Sequence, residues 1–308
     1  MNMNTYGLFI MLAFISAFLV AYNRSMKVGI HPISLIPVMG AAAVGGLAGG
    51  RILYSLAVDP GLWGLLTNPL QLFAGSGFAV YGGLIGGTLA VAAVAIPKGI
   101  HPWKLADVAA PSVVIGMGVG RLACFFAGCC HGAVVPGFPT DQTLVGAPLR
   151  GRVLSGPEFP WLSLEFHGGV GSLHHLPLYP TQLWDFAALV LLAAVLLLAW
   201  DHRRFDGQVA AVALMLQPPI RIVVEGFRAD HRGVALELPG GEAIASILPG
   251  MAQASGDLQE PMVGLTTSQA LGLTMMAGGA LIWAMRRNAG VDPEVPIDPD
   301  GLDLDDDL

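Results

Sequence analysis

Charge is what this sequence has least of. Only 12% of its 308 residues are Asp, Glu, Lys or Arg, where a soluble protein of this length carries about a quarter. Eight of the 22 acids fall in the last 17 residues, so the remainder is barer still. An ordinary soluble domain is excluded, and with no basic patch there is no nucleic-acid interface either. Cysteine is scarce: three residues, all between Cys124 and Cys130. They make no disulfide framework, because adjacent Cys129 and Cys130 could bridge each other only with strain. No cleavable secretory signal peptide is expected either. Arg24 and Lys27 follow the first apolar run instead of preceding it, so the run is read as a membrane span.

What the chain does have is apolar length. Runs near Tyr6–Tyr22, Leu35–Val58, Phe78–Ile96, Asp107–Cys129, Leu183–Trp200, Gln208–Phe227 and Leu265–Met285 each approach the roughly 20 helical residues that cross a bilayer. The expected fold is an all-α integral membrane protein with seven transmembrane helices, one domain over residues 1–290. The long connections 131–180 and 228–264 are expected to form an extracytoplasmic cap. Residues 291–308 read as an acidic, disordered cytoplasmic tail. The 41 glycines suit close helix packing in lipid. Lys and Arg set the orientation. Arg24, Lys27, Lys98, Lys104, Arg203, Arg204, Arg286 and Arg287 lie on one set of loops, against Arg150, Arg152, Arg228 and Arg232 on the other. The first set is therefore cytoplasmic, the N-terminus outside and the C-terminus inside.

Against this background the charges inside spans stand out: Arg51, Arg121 and Arg221, with Asp107, Asp185 and Glu225 in spans or at their edges. A charge near the bilayer centre costs about 2.5 kcal/mol or more. Each must be paired or turned to a ligand. Structural pairing is one reading, and Glu225, one helical turn after Arg221, is placed to neutralise it. The other reading is a shared anion site. Arg121, Arg221 and Arg228 fall toward the outward ends of their spans, and guanidinium forks suit phosphate. In a membrane that phosphate belongs to a phospholipid headgroup. The glycines of VYGGLIGG, Gly82 and Gly83 among them, allow close approach of a helix or a ligand, and Tyr81 places a phenol beside them. Cys124, Cys129, Cys130 and His131 have ligand chemistry, but their spacing asks one tight turn to fold onto itself. The expectation is small-residue packing, with no metal and no cofactor. His167, His174 and His175 read as solvated loop residues.

Seven phrases then occur in one order: YGLFIMLAF from Tyr6, GGRILY from Gly49, YGGLIGG from Tyr81, DVAAP from Asp107, GVGRLACFFAGCCHG from Gly118, YPTQLWD from Tyr179 and RIVVEGFRAD from Arg221. This set resembles the prolipoprotein diacylglyceryl transferase family, from the first span through the seventh and excluding the tail. The resemblance implies an enzyme of the bacterial cytoplasmic (inner) membrane. Such an enzyme moves the diacylglyceryl group of phosphatidylglycerol to the lipobox cysteine thiol of a prolipoprotein signal peptide, the first step of lipoprotein maturation, and glycerol 1-phosphate leaves.

By the same resemblance Arg121 is the headgroup-contacting arginine of the fourth span, and Arg221 an essential arginine of the sixth. Glu225 and Arg228 follow at the family spacing. Tyr6, Asp107 and Gly132 match further family positions, and Gln182 lies within YPTQLWD. The implied assignment is catalytic for Arg121, Arg221, Glu225 and Tyr81, and substrate-binding for Tyr6, Gly82, Gly83, Asp107, Gly132, Gln182 and Arg228. A monomer is expected. The chain departs from the family pattern where Tyr81 stands for a histidine proposed as base, Cys124 for an asparagine, and Gln217 for a tyrosine. A related transferase with another acceptor, or a non-catalytic phospholipid binder, is the alternative.

Overall fold

The structure is a computed structural model, and it describes residues 3–57, 80–132, 152–153, 164–165, 177–228, 234–237, 252–254 and 261–292. The rest of the acidic tail, most of both long connections, and with them Arg150, His167, His174, His175 and Arg232, lie outside the described residues. Among the described residues seven helices coincide with the seven apolar runs. They are α1 (Met3–Lys27), α2 (Pro32–Ala57), α3 (Val80–Ala95), α4 (Pro102–Ala127), α5 (Thr181–Asp201), α6 (Gln208–Glu225) and α7 (Thr267–Arg286). Five of them, α1, α2, α4, α5 and α6, are long and apolar enough to cross a membrane, and α3 is a shorter apolar helix. They carry large apolar side chains on the outside, such as Leu47, Leu89, Leu191, Leu198 and Met285. In water such a surface would aggregate; in lipid it is the expected one.

The all-α expectation needs one amendment. The two long connections contain short strands: β1 (Arg152–Val153), β2 (Leu164–Glu165), β3 (Pro177–Leu178), β4 (Val234–Glu237), β5 (Ala252–Ala254) and β6 (Pro261–Thr266). They form two antiparallel sheets, in the orders β1-β2-β3 and β4-β6-β5. Polar backbone outside the helices must find partners somewhere, and hairpins supply them locally. β3 stops just short of α5, and β6 runs directly into α7.

Three helices end by one device. After α1, α3 and α4 the chain turns through left-handed Gly29, Gly99 and Gly128. The next amide then bonds back to a carbonyl of the last turn: Ile30 to Ser25 at 3.0 Å, Ile100 to Ala95 at 3.1 Å and Cys129 to Cys124 at 3.1 Å. This satisfies carbonyls that the helix leaves open, and only glycine adopts the turn without strain.

The chain forms two compact units, residues 1–20 with 109–291, and residues 21–108 with 292–308. In the second, α2 and α3 pack backbone to backbone. A Cβ on Gly86 would sit 2.8 Å from the Gly49 Cα, and one on Gly82 would run into the Gly49 carbonyl. In the first, α5 buries Leu189, Leu192, Leu196 and Trp200, and α6 buries Val209 and Ala211. Gly118 of α4 faces Leu189 of α5, and Gly279 of α7 faces the Ala211 carbonyl of α6. Small residues thus set the helix spacing that lipid alone would not drive.

Candidate active site

Within the first unit, α4, α5 and α6 each bring ionic groups to one point. Arg121 of α4 places its Nε 2.7 Å from Asp185 Oδ2 of α5. Arg221 of α6 reaches the same oxygen with Nη1 at 3.4 Å, and its Nη2 pairs with Glu225 one turn on. The two arginines therefore share one carboxylate. The acids lie beneath and the guanidiniums form the face: Asp185 and Glu225 side chains are 3% and 2% exposed, Arg121 and Arg221 19% and 13%. Two guanidiniums thus meet two carboxylates, while Arg228 is buried in the turn after α6. Ion pairs this deep are stabilising only while complete, because removal of one member strands the other.

Sequence reasoning found the arginines and the Arg221–Glu225 pairing. It noted Asp185 only as an acid near a span and missed it as the hub. The signal was available: Asp185 is one turn into a span, where a carboxylate needs a cation. Arg121 of α4 and Arg221 of α6 are span residues that could supply it.

Next to this cluster the end of α4 is stitched to α5 and α6. Beyond Gly128 the chain makes a second left-handed step at Cys130, the one non-glycine residue with positive φ among the described residues, at 61°. Side chains of α5 hold that turn: Gln182 Nε2 donates to the Cys129 carbonyl at 2.8 Å, and Thr181 Oγ1 to the Cys130 carbonyl at 3.0 Å. Gly132 then donates its N–H to the Tyr179 carbonyl at 2.9 Å and bridges antiparallel to Arg228. A Cβ at Gly132 would lie 2.5 Å from Tyr179 Cβ and 2.8 Å from the Phe227 carbonyl. Three backbone segments meet here, and only glycine fits. Tyr179, Trp184 and Phe227 pack together beside it, ring centroids 5.3 to 5.6 Å apart, with Phe227 edge to face on the other two. Burial pushes the Tyr179 phenol up from its ordinary value.

The cysteines meet in the tight turn that their spacing requires. The paired left-handed steps fold the turn back, and the Cys124, Cys129 and Cys130 sulfurs all lie within 4.8 Å of one another. Cys129 is exposed and the other two half-buried. Hydrogen bonding from Cys124 and Cys129, and then the Arg228 guanidinium, draw the Cys130 thiol below its ordinary range.

The remaining candidates divide. Gln182 is buried, and its Oε1 has no partner among the described residues. Tyr6 is half-exposed on α1, within electrostatic reach of all three cysteines. Tyr81, Gly82, Gly83 and Asp107 belong to the second unit. There Gly82 is given to packing against α2, the Gly83 carbonyl faces Gly46, and Asp107 is fully buried in α4. Tyr81 is in the first turn of α3, and its side chain lies outside the described residues.

Comparison with known proteins bears on this arrangement. The sequence model of the prolipoprotein diacylglyceryl transferase family matches residues 1–285. Among curated relatives, a phosphatidylglycerol–prolipoprotein diacylglyceryl transferase of Clostridium tetani is 31% identical over 74% of this chain and 82% of its own length. The proteins of that name from Erwinia tasmaniensis and Cronobacter sakazakii are 29% and 30% identical. Each alignment covers 93% of this chain, and 89% and 90% of the relative. The match takes in every helix that builds the arginine cluster, and the chain belongs to the prolipoprotein diacylglyceryl transferase family.

Proposed function

We propose that this protein transfers the diacylglyceryl group of phosphatidylglycerol to the lipobox cysteine thiol of a prolipoprotein, opening lipoprotein maturation. The observation that carries the reading is the convergence of Arg121 and Arg221 on Asp185, with the arginine side chains less deeply buried than the acids. The bond to be broken joins a glycerol carbon to a phosphate oxygen. The thiol sulfur attacks that carbon, and the C–O electron pair leaves on phosphate. Negative charge grows on the departing oxygen, so arginines held in place beforehand bind the transition state more tightly than the lipid. Asp185 and Glu225 fix the two side chains; neither attacks, since each is already engaged by guanidinium. Arg228 stands at the edge, beside the cysteine turn.

The same reading takes all seven helices as spans of the bacterial inner membrane, N-terminus outside, with the two small sheets in a cap over the outer face. Phosphatidylglycerol enters sideways from the bilayer, and the signal peptide arrives beneath the cap. Tyr81 and Gly83 are candidate lipid contacts in the second unit. Incubation of the purified protein with phosphatidylglycerol and a lipobox peptide, followed by mass analysis, tests this. A thioether-linked diacylglyceryl adduct is expected. Headgroup cleavage without that adduct would point to another acceptor.

A further inference from the structure

The arginine cluster leaves the three cysteines without a task. Packing does not account for them, because Cys129 is exposed and Cys130 sits in a left-handed backbone conformation that non-glycine residues rarely adopt. Two α5 side chains hold the carbonyls of Cys129 and Cys130 in that conformation, so the turn is built rather than loose. A disulfide does not account for them either: it would use two sulfurs and leave the third, and the neighbouring pair bridges only with strain.

We propose that Cys124, Cys129 and Cys130 bind a thiophilic divalent ion, zinc, through three thiolates. With zinc–sulfur bonds of about 2.3 Å, sulfurs around one ion stand roughly 3.8–4 Å apart. From separations within 4.8 Å, each sulfur needs to move about 0.5 Å at most. Charge agrees as well. Three thiolates and a divalent cation leave one negative charge, and the Arg228 guanidinium bonded to Cys130 offsets it. Three protein ligands leave the fourth zinc position open, the arrangement of zinc sites that act on substrates.

Resting on the function proposed above, the fourth ligand is the acceptor thiol. It releases its proton to solvent on binding the metal. As zinc thiolate its sulfur then bonds to the glyceryl carbon, while the C–O bond breaks and its electron pair leaves on phosphate held by Arg121 and Arg221. The thioether product is a weak zinc ligand and departs. No oxidant or reductant is involved.

The test reads the metal without turnover. The full chain is purified in detergent, reduced, stripped with a chelator and titrated anaerobically with Co²⁺. A sulfur-to-cobalt charge-transfer band that saturates at one ion per chain and is displaced by Zn²⁺ is expected. Cys129→Ser, at an exposed position, and Cys124→Ser should each lose the band while thermal unfolding stays within a few degrees of wild type. Absence of the band in wild type, or its survival in both variants, would overturn the site. A lipobox peptide should then shift the band where its Cys→Ser counterpart does not; no shift overturns the assignment of the fourth position. If the band forms and shifts but no adduct appears with phosphatidylglycerol, the metal site stands and the transferase reading fails.

Discussion

Two helix contacts in this protein are built on opposite principles. The α2–α3 seam is made of absence: Gly49, Gly82 and Gly86 let two backbones touch, with no side chain between them. The α4–α5–α6 junction is made of charge: Arg121, Arg221, Asp185 and Glu225 occupy the gap between helices. In lipid the first arrangement is inexpensive, since it needs only close packing. The second carries desolvation costs that apolar residues of like volume would avoid. A chain poor in charge gathers four ionic side chains at this junction, and it is where the proposed chemistry is expected. The seam serves packing; on the proposed function the junction serves chemistry.

Substitutions at each contact should therefore fail differently. Short of removing an arginine, the largest effect is expected from Asp185→Asn. It keeps the shape but removes the charge that both arginines share, and transfer per folded molecule should drop about 100-fold, as misplacement of positioned groups does. Phosphatidylglycerol binding should weaken with it. If Asp185→Asn transferred at the wild-type rate, Asp185 would be no hub. Gly86→Ala should do the converse, lowering stability by about 1–3 kcal/mol through overpacking against Gly49 while the transfer rate of the surviving folded protein changes little. Thermal unfolding in detergent beside a transfer assay separates the two, and a rate loss without a stability loss would place Gly86 in the site.

Tyr81→Phe should have the smallest effect, within about tenfold, because metal binding of the thiol removes the need for a phenol as proton acceptor. A fall of 100-fold or more lies in the range of general base catalysis. It would return that role to Tyr81 and count against zinc.

The sequence revealed these two contacts unequally. Apolar length located all seven helices, and the cost of charge in lipid singled out Arg121 and Arg221 before any coordinates. Asp185 was harder, because which carboxylate sits between two arginines depends on how three helices rotate about their axes. Periodicity does not set that rotation in a chain apolar on nearly every face. The meeting of the cysteines was hard to read for a local reason. Left-handed Gly128 could be anticipated as a helix stop, but a left-handed cysteine two residues later goes against intrinsic preference. Only the bonds from Thr181 and Gln182, about fifty residues away, hold it there. The short strands were missed because two to six residues carry too little alternation to register.

The central claim is that Arg121 and Arg221 act together on one phosphate, and a double-mutant cycle on diacylglyceryl transfer tests it most directly. Arg121→Ala and Arg221→Ala should each reduce the rate by 100-fold or more, as loss of a transition-state donor does, and the double variant should be scarcely slower than either single one. Wild-type transfer by Arg121→Ala, or losses that simply multiply in the double variant, would contradict a shared site.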